Sequence, residues 1–332
     1  MERRTQPLAH RLARRALLIA AVACLALACE SGSDAARPTL VPTVVDPLSA
    51  DALRAHVSFL AELEPARSYG NAASLEKAAV YLEREFAAAG GRIVRQTFEV
   101  GGESYANVRC FLGPEEGARL VVGAHYDSYG DLPGADDNAS GTAVLLALAH
   151  ALRDVELAAP VELVAFVLEE PPQYDTRDMG SARHARLLRE EGAELRGMIC
   201  LEMLGYYSEE AGSQSYPVDE MELLFGDKAD FLAVVGRPED AALVEAVHAA
   251  MQGTPLRVEK VLAPPALTGV DFSDHRSFWA EGYTATMLTD TSFYRNANYH
   301  TAADTTDTLD YVRMAHAVQG VRTAVVALVG KE

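Results

Sequence analysis

One stretch, residues 121–141, limits the fold of this 332-residue chain more than any other. The apolar run 120–123 has the length of a buried strand, and His125 follows it directly. A loop rich in glycine, proline and acidic residues comes next, and the Ala/Leu-rich segment 140–152 then has the pattern of a helix. A strand, loop and helix in this order form the repeating unit of α/β proteins. The stretch therefore predicts a sheet whose carboxyl edge carries polar side chains.

The same alternation continues along the chain. Further apolar runs are followed by helical patterns, which predicts a mostly parallel sheet covered on both faces. Two early strands, 93–100 and 105–113, joined through Gly101 and Gly102, predict an antiparallel edge. We therefore expect an α/β fold, a three-layer α/β/α sandwich with a mixed central sheet, and one domain over residues 47–332. The other predicted strands are 161–168, 197–204, 231–235, 256–261 and 284–288, and the other predicted helices are 49–64, 74–90, 180–192, 239–252, a short one at Phe278, and 310–329.

The first 28 residues predict a signal peptide. Five arginines precede the apolar run 16–28, which is too short to span a bilayer core of about 30 Å. Small residues before Cys29 and a polar segment after it are similar to a bacterial lipoprotein signal, in which Cys29 becomes the lipidated first residue. Ordinary cleavage after Ala28 is the alternative. We expect a flexible tether at 29–46 and an exported protein anchored to a membrane, facing the periplasm or the exterior.

Composition excludes one class of partner and leaves the quaternary structure open. The formal net charge of −19 argues against nucleic acid, whose phosphates are bound by Lys and Arg. Cys110 and Cys200 lie in strand-like apolar contexts, where two cysteines are more often buried thiols than a disulfide. Nothing in the sequence indicates an oligomeric state.

Metal-ligating residue types recur where the predicted strands end. The carboxyl ends of the strands form the site edge of an open α/β sheet, so these side chains are expected to converge there. Imidazole and carboxylate groups are ligands that zinc accepts. Several buried carboxylates at one edge would be costly without a cation. The candidates are His125, Asp137, Glu169, Glu170, Glu202 and His300.

Six motifs make the interpretation more specific. Together they resemble the zinc aminopeptidase and glutaminyl cyclase family, in the family's order and over about residues 105–330. The motifs are HYDS (125–128), PGADDNASG (133–141), EEPP (169–172), LEMLGYYS (201–208), SDH (273–275) and YHTAADT (299–305).

The resemblance implies two Zn²⁺ ions in a zinc-exopeptidase fold. His125 and Glu202 would bind one ion, Glu170 and His300 the other, and Asp137 would bridge both. The family also has a cis peptide bond after the bridging aspartate. Many members have Asp at the position of Glu202, so metal geometry or stoichiometry can differ here.

Further roles follow from the same resemblance. Glu169 would be the general base and acid, and Asp127 would hold the second nitrogen of His125. Tyr299 would donate to the developing oxyanion, with simple packing as the alternative. Asp274 would support the site from outside, unless Asp274 and His275 are only a helix cap and a surface histidine.

The sequence gives less information about the residues that contact the substrate than about the metal ligands. Arg295 either holds a substrate carboxylate, which would favour short peptides, or braces the acidic cluster. Tyr206 and its loop 205–227 are expected to line the pocket together with 262–272. The leading hypothesis is a two-zinc aminopeptidase acting on peptides. The alternatives are a single-zinc glutaminyl cyclase and a catalytically silent binding protein of the same fold.

Overall fold

The computed structural model describes residues 49–331. The predicted signal peptide, the lipidation site at Cys29 and the predicted tether lie outside these residues. Within them, no helix combines the length and the apolar character needed to cross a membrane.

Eight strands form one mixed sheet in the order β1-β2-β4-β3-β5-β8-β6-β7. The central strands β4, β3, β5 and β8 run parallel to one another. The strands are β1 (Arg92–Val100), β2 (Glu103–Leu112), β3 (Arg119–His125), β4 (Val161–Phe166), β5 (Leu195–Glu202), β6 (Phe231–Gly236), β7 (Arg257–Leu262) and β8 (Ala285–Thr289).

Helices cover both faces of this sheet. The α-helices are α1 (Ala50–Ala61), α2 (Ala72–Ala88), α3 (Gly141–Leu152), α4 (Gly180–Glu190), α5 (Glu222–Phe225), α6 (Ala241–Met251), α7 (His275–Ala280) and α8 (Tyr311–Val329). Buried residues of α1, α2, α3, α6 and α8 belong to one apolar cluster, and those of α4 and α7 belong to another. The three-layer α/β/α prediction is confirmed.

Strand β3 shows why the central strands are apolar along their whole length. Leu120 and Val122 join the cluster on one face of the sheet, whereas Val121 joins the cluster on the other. Successive side chains of a strand point to opposite faces, so a strand covered on both sides needs apolar residues at every position. This pattern leaves polar side chains only at the ends of the strand, where His125 lies.

The sheet contains three antiparallel contacts, of which the pairing of β2 with β4 joins the hairpin to the central strands. β1 and β2 form the predicted hairpin, and Gly101 and Gly102 both have positive φ, 62° and 89°, in its two-residue turn. β6 also pairs antiparallel with β8, and β7 pairs parallel with β6. The predicted antiparallel edge is confirmed, whereas the direction of β6 was not predicted, because hydrophobic periodicity does not encode strand direction.

Two predicted strands end earlier than expected. β4 ends at Phe166 instead of 168, and β5 ends at Glu202 instead of 204. Glu169 and Glu170 thus lie in a loop beyond the edge of the sheet. The predicted helix 74–90 also differs, since α2 begins at Ala72 and ends at Ala88.

Candidate metal centre

The first group of metal-type ligands is formed by β3, β5 and the loop before α3. Nε2 of His125 lies 3.4 Å from Oδ1 of Asp137 and 3.4 Å from Oε2 of Glu202. All three side chains are buried. Tetrahedral zinc with bonds of about 2.0–2.1 Å places its ligand atoms about 3.3 Å apart. The three residues therefore fit a zinc ion.

The second group uses the other oxygen of Asp137. Nε2 of His300 lies 3.0 Å from Oδ2 of Asp137 and 3.3 Å from Oε2 of Glu170. Nε2 of His300 and Oε1 of Glu170 are buried and have no hydrogen-bond partner in the described part of the chain. Buried polar atoms are rarely left without a partner. A second cation between these residues would satisfy them, and Asp137 would then bridge the two ions.

The ionisation of this cluster reflects burial and crowding. Burial, followed by the charge of Asp137, raises the pKa of Glu170 to about 8. Burial raises the pKa of Glu169 well above its ordinary value, although His125 opposes this change. Burial also acts against ionisation of Asp137, but the adjacent imidazoles of His125 and His300 outweigh it and lower its pKa. The lowered pKa of Asp137 favours the ionised carboxylate that a bridging ligand needs.

Asp127 fastens the loop that carries both Glu169 and Glu170. Its two carboxylate oxygens accept the backbone N–H groups of these residues, at 3.1 Å and 3.0 Å. Oδ1 of Asp127 also lies 3.5 Å from Nδ1 of His125. The structure thus brings Asp127 next to His125, as the family resemblance implied, and adds a second role that sequence reasoning missed.

Two further residues hold the loop of Asp137 and were also missed. Asp304, which is buried, accepts the backbone N–H groups of Asp136 and Asp137 at 2.8 Å and 3.1 Å. The guanidinium of Arg67, also buried, donates to the backbone oxygens of Tyr126, Pro133 and Gly134. The YHTAADT motif contained Asp304, so its place near His300 was a usable signal. Arg67 had none, since its partners are backbone carbonyls.

Glu202 is held by two neighbouring side chains. Oε2 accepts a hydrogen bond from Oγ of Ser273 at 2.6 Å and a longer one from Nδ2 of Asn138 at 3.4 Å. The peptide bond between Asp137 and Asn138 is cis, as expected from the family resemblance. The longer Glu side chain therefore reaches the first ligand group while its carboxylate stays anchored.

Tyr299 and Asp274 both lie close to the cluster. Tyr299 lines the pocket beside Glu169 and His300, and burial raises the pKa of its hydroxyl, which remains a donor. Both carboxylate oxygens of Asp274 are buried without a hydrogen-bond partner among residues 49–331, and its charge raises the pKa of Glu169. His275 is buried too, so the alternative of a surface histidine was wrong.

Arg295 and Tyr206 are placed away from the pocket. Arg295 donates from Nε to Gln214 Oε1 at 2.8 Å and from Nη1 to the backbone oxygen of Phe231 at 2.8 Å, and it is buried. Nε and Nη1 bond inside the protein, Nη2 has no partner among residues 49–331, and Arg295 does not line the pocket, which favours the bracing alternative over a contact with a substrate carboxylate. Its neighbour Asp290 supports the bracing alternative. Tyr206 is not among the described residues that line the pocket, whereas Tyr216 of the same loop is.

An apolar pocket of about 210 Å³ opens beside the two ligand groups. Its polar end is formed by Asp137, Glu169, Glu170, Glu202 and His300. No Lys or Arg of residues 49–331 lines it. The apolar lining includes Met221, Phe225, Phe231, Ala233, Val235, Val261, Leu267, Phe272, Met287 and Phe293.

Comparisons with known proteins agree with this geometry. The sequence profile of Peptidase family M28 matches residues 107–325. Protein YfbL of Escherichia coli (strain K12), itself described as uncharacterised, is 40% identical over 292 residues, which cover 85% of this chain and 90% of that protein. A probable leucine aminopeptidase of Arthroderma otae is 25% identical over 233 residues, which cover 66% of this chain and 55% of that protein.

Solved structures show the same fold. A zinc aminopeptidase from Bacillus subtilis superposes with a TM-score of 0.70 at 16% identity, covering 86% of this chain and 96% of the other. Glutaminyl cyclase from Fimbriiglobus ruber superposes with a TM-score of 0.64 at 20% identity, covering 88% and 99%. With the profile matched over most of the domain and the ligand types assembled at one sheet edge, this chain belongs to Peptidase family M28.

Proposed function

We propose that the protein is an aminopeptidase that uses two zinc ions to remove the first residue of peptides. The observation that carries the proposal is the pair of ligand groups that share Asp137, one with His125 and Glu202 and the other with Glu170 and His300. Glu169 belongs to neither group, although its Oε2 is only 3.9 Å from Nε2 of His125. A carboxylate that is close to the metals and not needed as a ligand is available for proton transfer.

Glu169 and Tyr299 have different roles in the proposed reaction. Bound zinc ions would lower the pKa of a shared water and polarise the scissile carbonyl. Glu169 accepts the proton of the attacking water and passes it to the leaving amine, a role open to a buried carboxylate that lies beside the ligand groups and belongs to neither. Tyr299, protonated and in the same pocket, donates to the oxygen of the tetrahedral intermediate.

The pocket supports action at the amino end of peptides with large apolar first residues. It offers an apolar wall directly beside Glu169, and it lacks the Lys or Arg that would recognise a free carboxyl group, within the described residues. Burial of an apolar side chain there is favourable by about 25 cal/mol per Å². Leucine, methionine and phenylalanine are the expected first residues.

Glutaminyl cyclisation is the competing reaction. A cyclase with one zinc would need only the group formed by Asp137, Glu170 and His300, whereas here the group with His125 and Glu202 is also complete. The deciding experiment measures zinc content together with hydrolysis of aminoacyl anilides and cyclisation of N-terminal glutamine. Two zinc ions and chelator-sensitive anilide release support the proposal. One zinc ion with cyclisation alone contradicts it, and neither reaction in a folded, zinc-loaded sample favours a silent binding protein.

Export and lipid anchoring form a separate part of the proposal. The sequence around Cys29 supports a lipoprotein signal, which would place the peptidase outside the cytoplasm. Labelling with a radioactive fatty acid tests it, with Cys29→Ser as the matched variant. Label on the wild type alone supports anchoring at Cys29, and an unlabelled wild type contradicts it.

A further inference from the structure

The imidazole of His300 is stacked between two tyrosines. Its centroid lies 3.9 Å from that of Tyr129 with 7° between the planes, and 3.8 Å from that of Tyr299 with 16° between the planes. Two rings cannot occupy the same face of an imidazole at these distances, so the tyrosines cover opposite faces. Tyr299 is the chain neighbour of His300, whereas Tyr129 comes from the loop after β3.

This arrangement contrasts with that of the other histidine ligand. A metal-binding histidine is usually oriented by a hydrogen bond from its second ring nitrogen. Nδ1 of His125 lies 3.5 Å from Oδ1 of Asp127, a close approach to a carboxylate without a hydrogen bond, whereas the ion pairs of His300 within residues 49–331 involve only its Nε2. The backbone of His300 also has a positive φ of 54°, which is uncommon for a residue other than glycine. Its ring therefore needs another means of orientation.

We infer that Tyr129 is a positioning residue for the second metal site, and that its aromatic face fixes the His300 ring where other metal-binding histidines use a hydrogen bond. The inference rests on the proposed two-zinc function. A histidine that ligates a cation carries partial positive charge, and the face of a tyrosine ring attracts such charge. With Tyr299 on the opposite face, the ring cannot tilt without losing one of the two stacking contacts.

The loop that carries Tyr129 is rigid enough for this role. Arg67 donates to the backbone oxygens of Tyr126, Pro133 and Gly134, on either side of Tyr129. The backbone N–H of Ser128 donates to the backbone oxygen of Arg67 at 3.0 Å. Tyr129 itself is 38% exposed, so its removal leaves no cavity in the core and the variants are expected to fold.

The test compares zinc affinity in the wild type, Tyr129→Ala and Tyr129→Phe, by metal analysis after dialysis against buffered free zinc. We expect Tyr129→Ala to weaken one of the two zinc equivalents about 10- to 100-fold. Tyr129→Phe keeps the aromatic face and is expected to retain both. The visible spectrum of the cobalt-substituted protein is a second readout, because the ligand field of one ion changes when His300 is free to reorient.

Controls make the result specific. Phe59 is 37% exposed and stacks on Tyr81 at 3.8 Å and 15°, so Phe59→Ala removes a similar stacked ring from a place without metal ligands. It should leave zinc affinity unchanged. Tyr129→Leu keeps apolar volume without an aromatic face, and it serves in the same comparison if the alanine variant is unstable.

Each outcome decides the inference. Unchanged zinc affinity in Tyr129→Ala or Tyr129→Leu, beside a wild type that binds two ions, overturns the positioning role and leaves the proposed function intact. Weak binding by Tyr129→Phe equal to that of Tyr129→Ala also overturns it, since the hydroxyl group would then be the active feature. A folded wild type that binds no zinc overturns the proposed function and this inference together.

Discussion

The carboxylate of Asp127 accepts the backbone N–H of Glu170 at a distance of 3.0 Å. The contact joins the loop after β3 to the loop after β4, two neighbouring parallel strands. The other oxygen of the same carboxylate accepts the N–H of Glu169 and lies near His125. One buried side chain thus sets the relative positions of a ligand of each metal group and of the proposed base.

Asp127→Asn tests this connection. The amide has a single acceptor oxygen, so its NH₂ group would face one of the two backbone N–H groups and leave it unpaired. We expect zinc affinity to fall about 10- to 100-fold, with a parallel loss of activity at limiting zinc. Metal analysis under buffered free zinc is the measurement, and wild-type zinc affinity in the variant would contradict the role.

Glu169→Gln separates chemistry from metal binding. The substitution keeps the size of the side chain and removes its ability to accept a proton. Because Glu169 belongs to neither ligand group, both zinc ions should remain, while kcat should fall about 10²- to 10⁴-fold. Anilide hydrolysis and zinc content are measured on the same sample. Full turnover in the variant would show that another group is the base.

Val261→Phe tests the pocket. Val261 is partly buried and lines the apolar wall, so a larger side chain there reduces the space for the first residue of the substrate. We expect kcat/KM for leucine and phenylalanine anilides to fall about tenfold or more, and kcat/KM for alanine anilide to change little. Equal losses for all three substrates would indicate general damage and not a specificity pocket.

The buried His184 predicts a loss of stability in acid. Burial lowers its pKa to about 4 and outweighs the opposing effect of the Glu162 carboxylate. Below pH 6.5 the unfolded chain binds a proton that the native protein does not, so the free energy of unfolding falls as the pH decreases from 6.5 to about 4. The full effect is roughly 3 kcal/mol.

Urea denaturation of wild type and His184→Gln across this pH range measures the effect. The variant cannot titrate at this position, so its stability should depend less steeply on pH between 6.5 and 4. Near pH 7, His184 is mostly neutral in both the native and the unfolded state. The difference in the free energy of unfolding between wild type and variant at this pH therefore measures how far the substitution itself destabilises the protein. Identical slopes for the two proteins would exclude His184 as a source of the acid sensitivity.

Local signals made much of this protein predictable. Hydrophobic runs of strand length located all eight strands, and the adjacent glycines 101 and 102 predicted the hairpin of β1 and β2. The positions of His125, Glu170 and Glu202 just at or after strands predicted that they would meet at one edge, and each now lies in a ligand group. Cys110 and Cys200 are free and buried, as expected for two thiols in apolar strands.

Such local signals do not predict contacts between segments that are distant in the chain. The sequence left open whether Arg295 holds a substrate carboxylate or braces the acidic cluster, because its partners Gln214 and Phe231 are more than 60 residues away in the chain. Tyr129 lies 171 residues before His300 in the chain and touches it only in the folded protein. The antiparallel direction of β6 likewise depends on which strand it pairs with.

The sequence by itself determined the α/β layering, the ligand types and the edge at which they gather, because periodicity and side-chain chemistry are properties of short segments. Only the tertiary structure decided that Asp127 and Asp304 hold the ligand loops through backbone N–H groups, and that Arg295 faces inward. The physical reason is that these features depend on hydrogen bonds and close packing between residues far apart in the chain, and a linear pattern does not encode either.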